Sequence, residues 1–519
     1  MGRKRGQMNP LTAIDFYKAD HRRQYPKGTS LVYSNFTARS SNLKNIPDSL
    51  FLGGTIFFGL QHFVKSYLID MWNEGFFKRP KNEVVDEYKR RMDYALGPGA
   101  IPVEHIEALH DLGYLPICIE ALPEGTFTPI RVPSLVIYNT HPDFFWLTNY
   151  LETVLSNSLW KPIISATTAF HYQYLLRKYA KDTGSDQGFV QFQGHDFSAR
   201  GMSGIHDAAL SGAAHLTSFV GTDTVNAIDL VEDYYGANVE KELVGCSVPA
   251  SEHSVMAMGT KESELDTYRR FITQIYPSGI VSIVSDTWDF WKVLSEFTVQ
   301  LKPEILARNG KVVFRPDSGD PVKIICGDYE AAAHTPAYKG AVEILWDIFG
   351  GTVNEMGYKV LDPHVGLIYG DSITPERAQR ILQGLKDKGF AASNIVFGIG
   401  SFTYNYTTRD TYGMAVKSTF GIVNGQNRNI FKDPATDSGK MKKSAVGLIY
   451  VHREGGVGRL TYTDNHNDID DIGALETVFL NGKLVREQTL EDIRSKVRAE
   501  IEEFIDTKDN NKLNASVGA

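Results

Sequence analysis

The fold is decided by the stretch Val312-Val-Phe-Arg315-Pro-Asp317-Ser-Gly319, in which an apolar run ends abruptly in a polar turn. Six other apolar runs between residues 190 and 401 end in the same way. Most of the endings lie about 30 residues apart, which is the size of one strand plus one crossover helix. The other six endings are Gly194-His195-Asp196-Phe197, Gly221-Thr222-Asp223, Ser251-Glu252-His253, Ser285-Asp286, Gly370-Asp371-Ser372 and Gly398-Ile399-Gly400-Ser401.

This repeat predicts a parallel (β/α) barrel. A strand can bury Val, Ile and Phe along its length and present polar groups only where it stops. In such a barrel the carboxyl ends of all the strands meet at one face, and active sites lie at that face. Five of the seven endings carry an Asp, so the pattern indicates an α/β enzyme.

Length and composition fit a globular protein with a large core. At 519 residues the chain is long enough for two domains or for one elaborated domain. Hydrophobic residues make up 42% and charged residues 22%, which is ordinary for a soluble protein. The 54 basic and 62 acidic residues give a net charge of −8, which argues against a nucleic-acid partner but permits local basic pockets for phosphorylated ligands.

The cysteines and the chain start favour a cytoplasmic protein. Cys118, Cys246 and Cys326 are odd in number and far apart, so they predict neither a disulfide framework nor a Cys-based zinc site. The basic start lacks the apolar core of a signal peptide, and no stretch approaches the length of a membrane span. We therefore expect no membrane association.

Three parts of the chain are predicted. Residues 186–408 hold the barrel repeat, residues 1–185 mix strands and helices, and residues 409–519 return to strands and turns. Individual strands and helices are also predicted within these parts. Residues 30–36 read as a strand, residues 82–94 and 490–504 read as helices, and Thr374 can cap a helix that has Pro375 at its first position.

The strand endings contain groups that suit a phosphorylated ligand. Arg315 can grip a phosphate bidentately beside Asp317, although an Arg–Asp pair that only staples a loop is the alternative. The small residues of Gly370-Asp371-Ser372 and Gly398–Ser401 stand just before predicted helices, where backbone N–H groups favour an anion. Two such turns at one end of a barrel predict a phosphate site. No metal-binding motif is complete, so the metal ligands stay unassigned.

His253 stands at another ending and has two readings. A lone His is more often a satisfied structural residue. Asp286, at the next ending, could orient and charge it and so make it an acid, a base or a nucleophile.

Longer motifs are spread over almost the whole chain. They are Asp15-Phe-Tyr17-Lys, Gln24-Tyr-Pro26, His195-Asp-Phe-Ser-Ala-Arg-Gly201, Gly221-Thr-Asp-Thr224, Ser247-Val-Pro-Ala-Ser-Glu-His253, Arg315-Pro-Asp-Ser-Gly319, Arg409-Asp410, Phe431-Lys-Asp-Pro434 and Thr477-Val-Phe-Leu-Asn-Gly482. In this order they closely resemble the nicotinamide phosphoribosyltransferase family.

The resemblance implies a reaction and an assembly. Nicotinamide and phosphoribosyl pyrophosphate would give nicotinamide mononucleotide and pyrophosphate with Mg²⁺, in NAD salvage. It also implies a homodimer whose two active sites straddle the subunit interface, and a phosphoribosyltransferase-type barrel with a second α+β domain built from both chain ends. His253 matches a histidine that ATP phosphorylates, which couples ATP hydrolysis to synthesis without a strict requirement for ATP.

Residue roles follow position by position. Phe197 and, from the partner subunit, Tyr17 match the aromatic pair that sandwiches the pyridine ring. Asp223 matches the residue that accepts from the amide nitrogen of the ligand, and Arg200 and Ser282 match pocket residues beside it. His253, Asp286 and Asp317 are the expected catalytic residues. The expected phosphate-binding residues are Arg39, Arg315, Asp317, Gly370, Asp371, Gly400, Ser401, Arg409, Lys417, Lys432 and Lys440.

Ser401 departs from the family pattern, which commonly has a second Gly after the one that matches Gly400. Its Cβ could crowd the phosphate, or its hydroxyl could add a donor. Ser198-Ala199 also replaces bulkier family residues beside the ring.

Three other functions fit parts of this pattern. A nicotinate phosphoribosyltransferase would perform the same chemistry on an acid, but the carboxylate of Asp223 would repel that acid. A barrel glycosidase would use paired carboxylates, but it would leave the anion-binding turns without a purpose. A nucleotide-binding protein without catalysis would not need His253, Asp317 and Arg409 together.

Overall fold

The computed structural model describes residues 8–432, 445–455 and 459–517. Its centre is a parallel sheet of six strands, counted within these residues, in which every neighbouring pair is parallel. In spatial order the strands are Gly221–Thr222, Gly194–Asp196, Ile395–Ile399, Val365–Tyr369, Val312–Arg315 and Val281–Val284.

The two edges of this sheet are joined by residues 246–250. Cys246 forms a parallel bridge to Gly221 on one edge strand, and Ala250 forms one to Ser282 on the other. The Thr222 amide donates to the Cys246 carbonyl at 2.9 Å, and the Ser282 amide donates to the Pro249 carbonyl at 2.9 Å. The sheet thus curves into a ring, which confirms the predicted barrel.

All seven polar endings lie at the carboxyl end of a strand or of the joining segment, and therefore at one face of the ring. The helices between them cover its outside. The predicted cap is present, since the Thr374 side chain accepts from the Arg377 amide and Pro375 opens the helix Pro375–Asp387. The α-helices of this region are Val190–Gln193, Ile205–His215, Val225–Tyr235, His253–Met258, Glu264–Arg270, Phe290–Lys292, Thr298–Gln300, Lys302–Ala307, Pro321–Cys326, Pro336–Lys339, Ala341–Phe349, Pro375–Asp387 and Ser401–Tyr404.

A second, antiparallel sheet interleaves strands from both ends of the chain. In the described residues its order is Gln426–Asn429, Ala415–Val423, Thr29–Thr37, Pro133–Asn139, Ile117–Ala121, Glu476–Leu480 and Lys483–Leu484. The strand expected over residues 30–36 is the third of these. A second α+β domain formed by both chain ends is thereby confirmed, while its predicted limits at residues 185 and 409 stay a prediction.

Shorter hairpins and helices complete this part. The two-stranded pairs are Gly54–Ile56 with Phe127–Pro129, Gly351–Val353 with Lys359–Leu361, and Leu448–Arg453 with Leu460–His466. In the described residues, the α-helices outside the barrel are His21–Gln24, Leu60–Phe63, Lys81–Leu96, Glu104–Leu112, Leu147–Tyr150, Glu152–Asp182 and Leu490–Val517. The helix expected over residues 82–94 is present, and the last helix is longer than the predicted 490–504.

Two long helices pack between the two domains. Glu152–Asp182 is buried along most of its length, and its Tyr172 hydroxyl donates to the Ile373 carbonyl at 3.0 Å. Along the last helix, Ile493 and Val497 are fully buried in a cluster that includes Phe170. Among the described residues, no helix combines the length and apolar character that crossing a membrane requires.

Candidate active site

A cavity of about 390 Å³ runs along the inside of the barrel. At the carboxyl ends of the strands it is lined by Phe197, Asp223 and Arg315, and towards the opposite end by Lys311 and Val365. Most of its wall is apolar, with a few polar groups at the carboxyl end. Such a lining suits a flat ligand that is oriented by a small number of hydrogen bonds.

The ring of Phe197 lies directly against two glycines of neighbouring strand ends. A β-carbon at Gly370 would come within 2.9 Å of the ring, and one at Gly398 would overlap it. Glycine is therefore required at both positions for the ring to occupy this place. The sequence placed both glycines in anion-binding turns, and it did not show that they make room for the ring. The signal that could have revealed this role for Gly398 was a glycine at one strand ending beside another ending that carries an aromatic residue.

Asp223 is held by two residues that the sequence reasoning did not select. His195 Nε2 donates to its Oδ1 at 2.9 Å, and the Ser247 hydroxyl donates to the same oxygen at 2.6 Å. Burial opposes ionisation, but these two hydrogen bonds and the charge of Arg315 outweigh it, so the pKa of Asp223 lies below its usual range. The carboxylate is therefore ionised, and no hydrogen bond within the described residues uses its Oδ2.

Ser282 and Arg315 each leave a polar atom without a partner on the cavity wall. The side chain of Ser282 is only 4% exposed, and its hydroxyl has no hydrogen bond in the described structure. Arg315 donates through Nη2 to the Ser251 carbonyl at 2.5 Å, while its buried Nε has no partner there. An unpartnered buried polar atom costs about 1–3 kcal/mol, which a bound ligand would recover.

His253 faces two carboxylates without a hydrogen bond to either. Its Nε2 lies 3.7 Å from Asp286 Oδ1 and 3.9 Å from Asp317 Oδ2, and its Nδ1 lies 3.2 Å from the Thr287 hydroxyl. The distances allow charge attraction, so Asp286 is near enough to influence the imidazole. About half of the His253 side chain is exposed, which leaves it open to a reagent.

Asp286 and Asp317 are coupled through the turn after Arg315. Asp286 Oδ2 accepts from the Asp317 amide at 2.9 Å and from the Ser318 hydroxyl at 2.6 Å, while its buried Oδ1 has no hydrogen-bond partner in the described structure. Burial and the charges of Asp286 and Asp371 raise the pKa of Asp317, against the opposing effect of Arg315. Crowded carboxylates of this kind favour a cation between them. We call Phe197, Asp223, Asp286, Arg315 and Asp317 the barrel mouth.

The two glycine-containing turns, 370–372 and 398–401, have different surroundings. Asp371 is exposed and accepts from the Ser372 hydroxyl at 3.1 Å. Gly400 faces open space, since a β-carbon there would meet nothing within 4 Å. Ser401 opens the short helix Ser401–Tyr404, and its hydroxyl lies so close to Gly201 that a β-carbon on that residue would overlap it. The hydroxyl thus points towards the exposed turn that carries Arg200.

Arg39, Arg409 and Lys417 lie together on the second domain, and we call them the basic cluster. Arg39 Nε donates to the Gly413 carbonyl at 2.9 Å; burial and then the charge of Arg409 lower the pKa of Arg39. Burial also lowers the pKa of Lys417, and Arg39 and Arg409 lower it further, although Glu152 opposes them. Cations held together in this way favour an anionic ligand.

Of the remaining predicted residues, Tyr17 and Lys432 lie within the described part of the chain. Tyr17 is 60% exposed on a short helical turn, and Lys432 is exposed. Lys440 lies outside the described residues. Within one chain, no hydrogen bond or ion pair among the described residues joins Tyr17 or the basic cluster to the barrel mouth.

Known families match both parts of the chain. The model described as the nicotinamide phosphoribosyltransferase N-terminal domain matches residues 9–87, and the model of the nicotinate phosphoribosyltransferase (NAPRTase) family matches residues 192–483. The nicotinamide phosphoribosyltransferase of Acinetobacter baylyi is 61% identical over 507 residues, covering 96% of this chain and 99% of that protein. The chain belongs to the nicotinamide phosphoribosyltransferase family.

More distant relatives place the family within a wider fold. A nicotinamide phosphoribosyltransferase of Xanthomonas campestris is 35% identical, with 94% of this chain and 97% of that protein covered. The crystal structure of a nicotinate-nucleotide pyrophosphorylase from Pyrococcus furiosus superposes with a TM-score of 0.57 at 13% identity, covering 97% of this chain and 98% of that one. The latter likeness shows a shared fold.

Proposed function

We propose that this chain transfers the phosphoribosyl group of phosphoribosyl pyrophosphate to nicotinamide, forming nicotinamide mononucleotide and pyrophosphate in NAD biosynthesis. The observation that carries the choice of nicotinamide is the ionised Asp223. His195 and Ser247 hold its Oδ1 at 2.9 and 2.6 Å, and its pKa lies below the usual range. A fixed carboxylate accepts a hydrogen bond from an amide and repels the carboxylate of nicotinate, the alternative substrate.

The reaction forms one bond and breaks one. The pyridine nitrogen of nicotinamide attacks the anomeric carbon of ribose, and the carbon–oxygen bond to pyrophosphate breaks with its electron pair leaving on oxygen. The nitrogen is already a nucleophile, so no general base is needed. Phe197 would stack on the ring and fix its approach, and positioning of this kind contributes strongly to rate.

Charges of opposite sign serve the two halves of the transition state. The ribose becomes cationic as pyrophosphate leaves, and Asp317 and Asp371 would stabilise that charge. Arg315, Arg39, Arg409 and Lys417 would hold the phosphates, with Lys432 and Lys440 as further candidates. Recognition by several cationic side chains suits phosphoribosyl pyrophosphate, because its phosphate groups carry several negative charges.

Mg²⁺ fits the carboxylates at the strand ends only when phosphoribosyl pyrophosphate is bound as well. No group of three or more His, Cys, Asp or Glu side chains in the described residues could hold a metal alone. Mg²⁺ is often bound by one or two carboxylates plus substrate phosphates, and Asp317 and Asp371 are suitable carboxylates. When bound, the ion would offset the charge on pyrophosphate.

ATP coupling and dimerisation belong to the same proposal. His253 is half exposed beside Asp286 and Asp317, which suits an imidazole that accepts a phosphoryl group from ATP and returns it to water. Among the described residues, no hydrogen bond or ion pair joins Tyr17 or the basic cluster to the barrel mouth of their own chain. We propose that they complete the site of a partner subunit in a cytoplasmic homodimer.

One experiment tests the core of this function. The protein is incubated with phosphoribosyl pyrophosphate, Mg²⁺ and either nicotinamide or nicotinate, and the mononucleotide is identified by mass spectrometry. Nicotinamide mononucleotide is the expected product. Formation of the nicotinate product at a higher kcat/KM, or of neither product, would overturn the proposal.

A further inference from the structure

A second cavity, of about 370 Å³, lies outside the barrel at the end opposite the barrel mouth. It is enclosed by the long helix Glu152–Asp182, by residues 217–220 just before the strand Gly221–Thr222, and by the last helix, Leu490–Val517. It shares no lining residue with the cavity inside the barrel. A ligand bound here would therefore occupy a separate site.

The walls of this cavity carry a surplus of positive charge. Arg177, Arg494 and Arg498 line it, against the two acids Glu242 and Glu491. Arg498 is paired with Glu491, and Glu242 accepts from a backbone amide at 3.0 Å. The acids of the wall thus already have partners within the protein.

Arg494 is committed to the fold. Its guanidinium donates to the carbonyls of Leu216, Leu243 and Val244 at 2.7, 2.9 and 2.5 Å. Burial lowers its pKa to about 10, which still leaves it charged at neutral pH. Its positive charge is held in place next to the cavity, although most of its donors are used.

Arg177 is the arginine with donors to spare. Its buried Nε has no hydrogen-bond partner in the described structure, and burial lowers its pKa, with Glu502 opposing and Arg498 adding to that shift. Two further wall groups are also unpartnered: the hydroxyl of Ser218, which is 6% exposed, and Oε1 of Gln173, which is 2% exposed. Gln173 Nε2 donates to the Ser218 carbonyl, which fixes the amide in this orientation.

These unpartnered groups define the chemistry of a ligand. Arg177 Nε and the Ser218 hydroxyl are donors for an oxyanion, and Gln173 Oε1 is an acceptor for an O–H group on the same molecule. An apolar occupant would leave these buried groups unpaired and so would not offset the free energy that their burial costs. A phosphate with a hydroxyl, either its own or on an attached sugar, satisfies all three.

We propose that this cavity is a second anion site, which binds inorganic phosphate or a small phosphate monoester through Arg177, Ser218 and Gln173. The proposal is independent of the reaction proposed above, since it rests on residues that lie outside the barrel mouth and the basic cluster. A phosphate site within the barrel mouth would coexist with it.

The test counts phosphate sites by isothermal titration calorimetry on the full-length protein. Inorganic phosphate and ribose 5-phosphate are titrated separately into the parent, Arg177→Gln and Arg91→Gln. Arg91 is exposed on the helix Lys81–Leu96, so its variant makes the same charge change away from the cavity. We expect the parent and Arg91→Gln to bind one more phosphate per chain than Arg177→Gln, and equal counts in all three would overturn the proposal.

The two probes separate the sources of the phosphate group. Tighter binding of ribose 5-phosphate at the additional site indicates a phosphate monoester, and equal or weaker binding indicates inorganic phosphate. Ser218→Ala guards against misfolding of the arginine variant, because it removes one donor without a change in charge. It should weaken phosphate binding at this site by roughly three- to tenfold. Unchanged affinity in that variant contradicts the proposal whether or not Arg177→Gln folds.

Discussion

The barrel mouth and the basic cluster satisfy their charges in opposite ways. At the barrel mouth, Asp286 and Asp317 crowd together beside a single guanidinium, that of Arg315, and the pKa of Asp317 is raised. In the basic cluster, Arg39 and Lys417 have lowered pKa values. Each region thus lacks the charge that the other has in excess.

In the proposed reaction, this difference would leave neither region with all the charges that the site needs. A ribose that becomes cationic while pyrophosphate leaves needs carboxylates on one side and cations on the other. The barrel supplies carboxylates at its strand ends, whereas the second domain supplies cations on a sheet made from both chain ends. If the regions cooperate across a dimer, substitutions in either should damage the same reaction.

The largest expected effect concerns ATP and the imidazole of His253, which lies beside Asp286 and Asp317 of the barrel mouth. In His253→Ala, ATP hydrolysis should be lost, while some ATP-independent nucleotide synthesis remains, because the ring nitrogen of nicotinamide attacks unaided. Phosphate release from ATP and mononucleotide formation are measured in parallel. His364→Ala is the matched control, since His364 also contacts a carboxylate, Asp362, at 2.7 Å. ATPase activity that is the same in both variants would remove His253 from this role.

Loss of one arginine from either region should lower the rate of the reaction to a similar extent. Arg315→Ala and Arg409→Ala are each expected to lower kcat/KM for phosphoribosyl pyrophosphate by roughly 10²- to 10³-fold, the usual cost of removing one preorganised charge partner. Arg91→Ala provides the control for loss of an exposed guanidinium. If Arg409→Ala behaves like this control while Arg315→Ala is impaired, the basic cluster plays no part in the reaction.

The fold class was accessible from sequence because parallel strands reveal themselves by where their apolar runs stop. The same reasoning could not find His195 or Ser247, which are selected only by their distances to Asp223 in the folded protein. Nor could it find the role of Gly398, which is to make room for the ring of Phe197. These contacts join separate strand ends, and no local pattern encodes them.

The basic cluster was harder still to derive. Arg39 follows the strand Thr29–Thr37, and Lys417 lies within Ala415–Val423, where it pairs with Asn35 across the sheet. The pairing register of two strands separated by almost the whole chain has no signature in either strand alone. Only the family resemblance brought these residues together before the structure did.

Asp223→Asn should weaken nicotinamide use and relax the discrimination against nicotinate. A hydrogen bond to a charged group contributes about 1.5–3 kcal/mol, so kcat/KM for nicotinamide should fall by roughly 10- to 150-fold. In the parent, the lowered pKa of Asp223 keeps the carboxylate ionised, so the preference for the amide should persist from pH 8 down to about pH 5. The ratio of kcat/KM for the two substrates is measured, with the exposed Asp229→Asn as control. An unchanged ratio in Asp223→Asn would refute its role in selection.

Mixing two inactive proteins tests directly whether the regions meet across a dimer. Tyr17→Ala lacks the aromatic partner, and a His253→Ala, Asp317→Ala double variant lacks Asp317 of the barrel mouth and the imidazole beside it. After full exchange of equal amounts, about half of the dimers are hybrid, each with one intact site, so roughly a quarter of parental activity should return. Tagged subunits verify the exchange. No recovery despite verified exchange would mean that each site is built within one chain.

The smallest effect is expected at Ser401, where the glycine turn meets the turn that carries Arg200. Its hydroxyl lies against Gly201, while Asn405 Nδ2 donates to the Gly201 carbonyl at 2.9 Å. The serine therefore fills a gap between two turns and leaves the open space beside Gly400 free. Ser401→Gly should raise KM for phosphoribosyl pyrophosphate about two- to threefold, as expected for the loss of about 0.5 kcal/mol of weak contact, with kcat unchanged.

Ser203→Gly is the control for the backbone freedom that a new glycine adds. Ser203 is exposed a few residues after Gly201, in the turn that carries Arg200. KM is measured for both variants at saturating nicotinamide. A fall in KM in Ser401→Gly would mean that the side chain crowds the phosphate, and a value equal to that of Ser203→Gly would mean that the contact with Gly201 has no effect. A rise confined to Ser401→Gly would assign the serine to holding the Arg200 turn in place, and would extend the barrel mouth to a residue that contacts neither the ring nor the carboxylates.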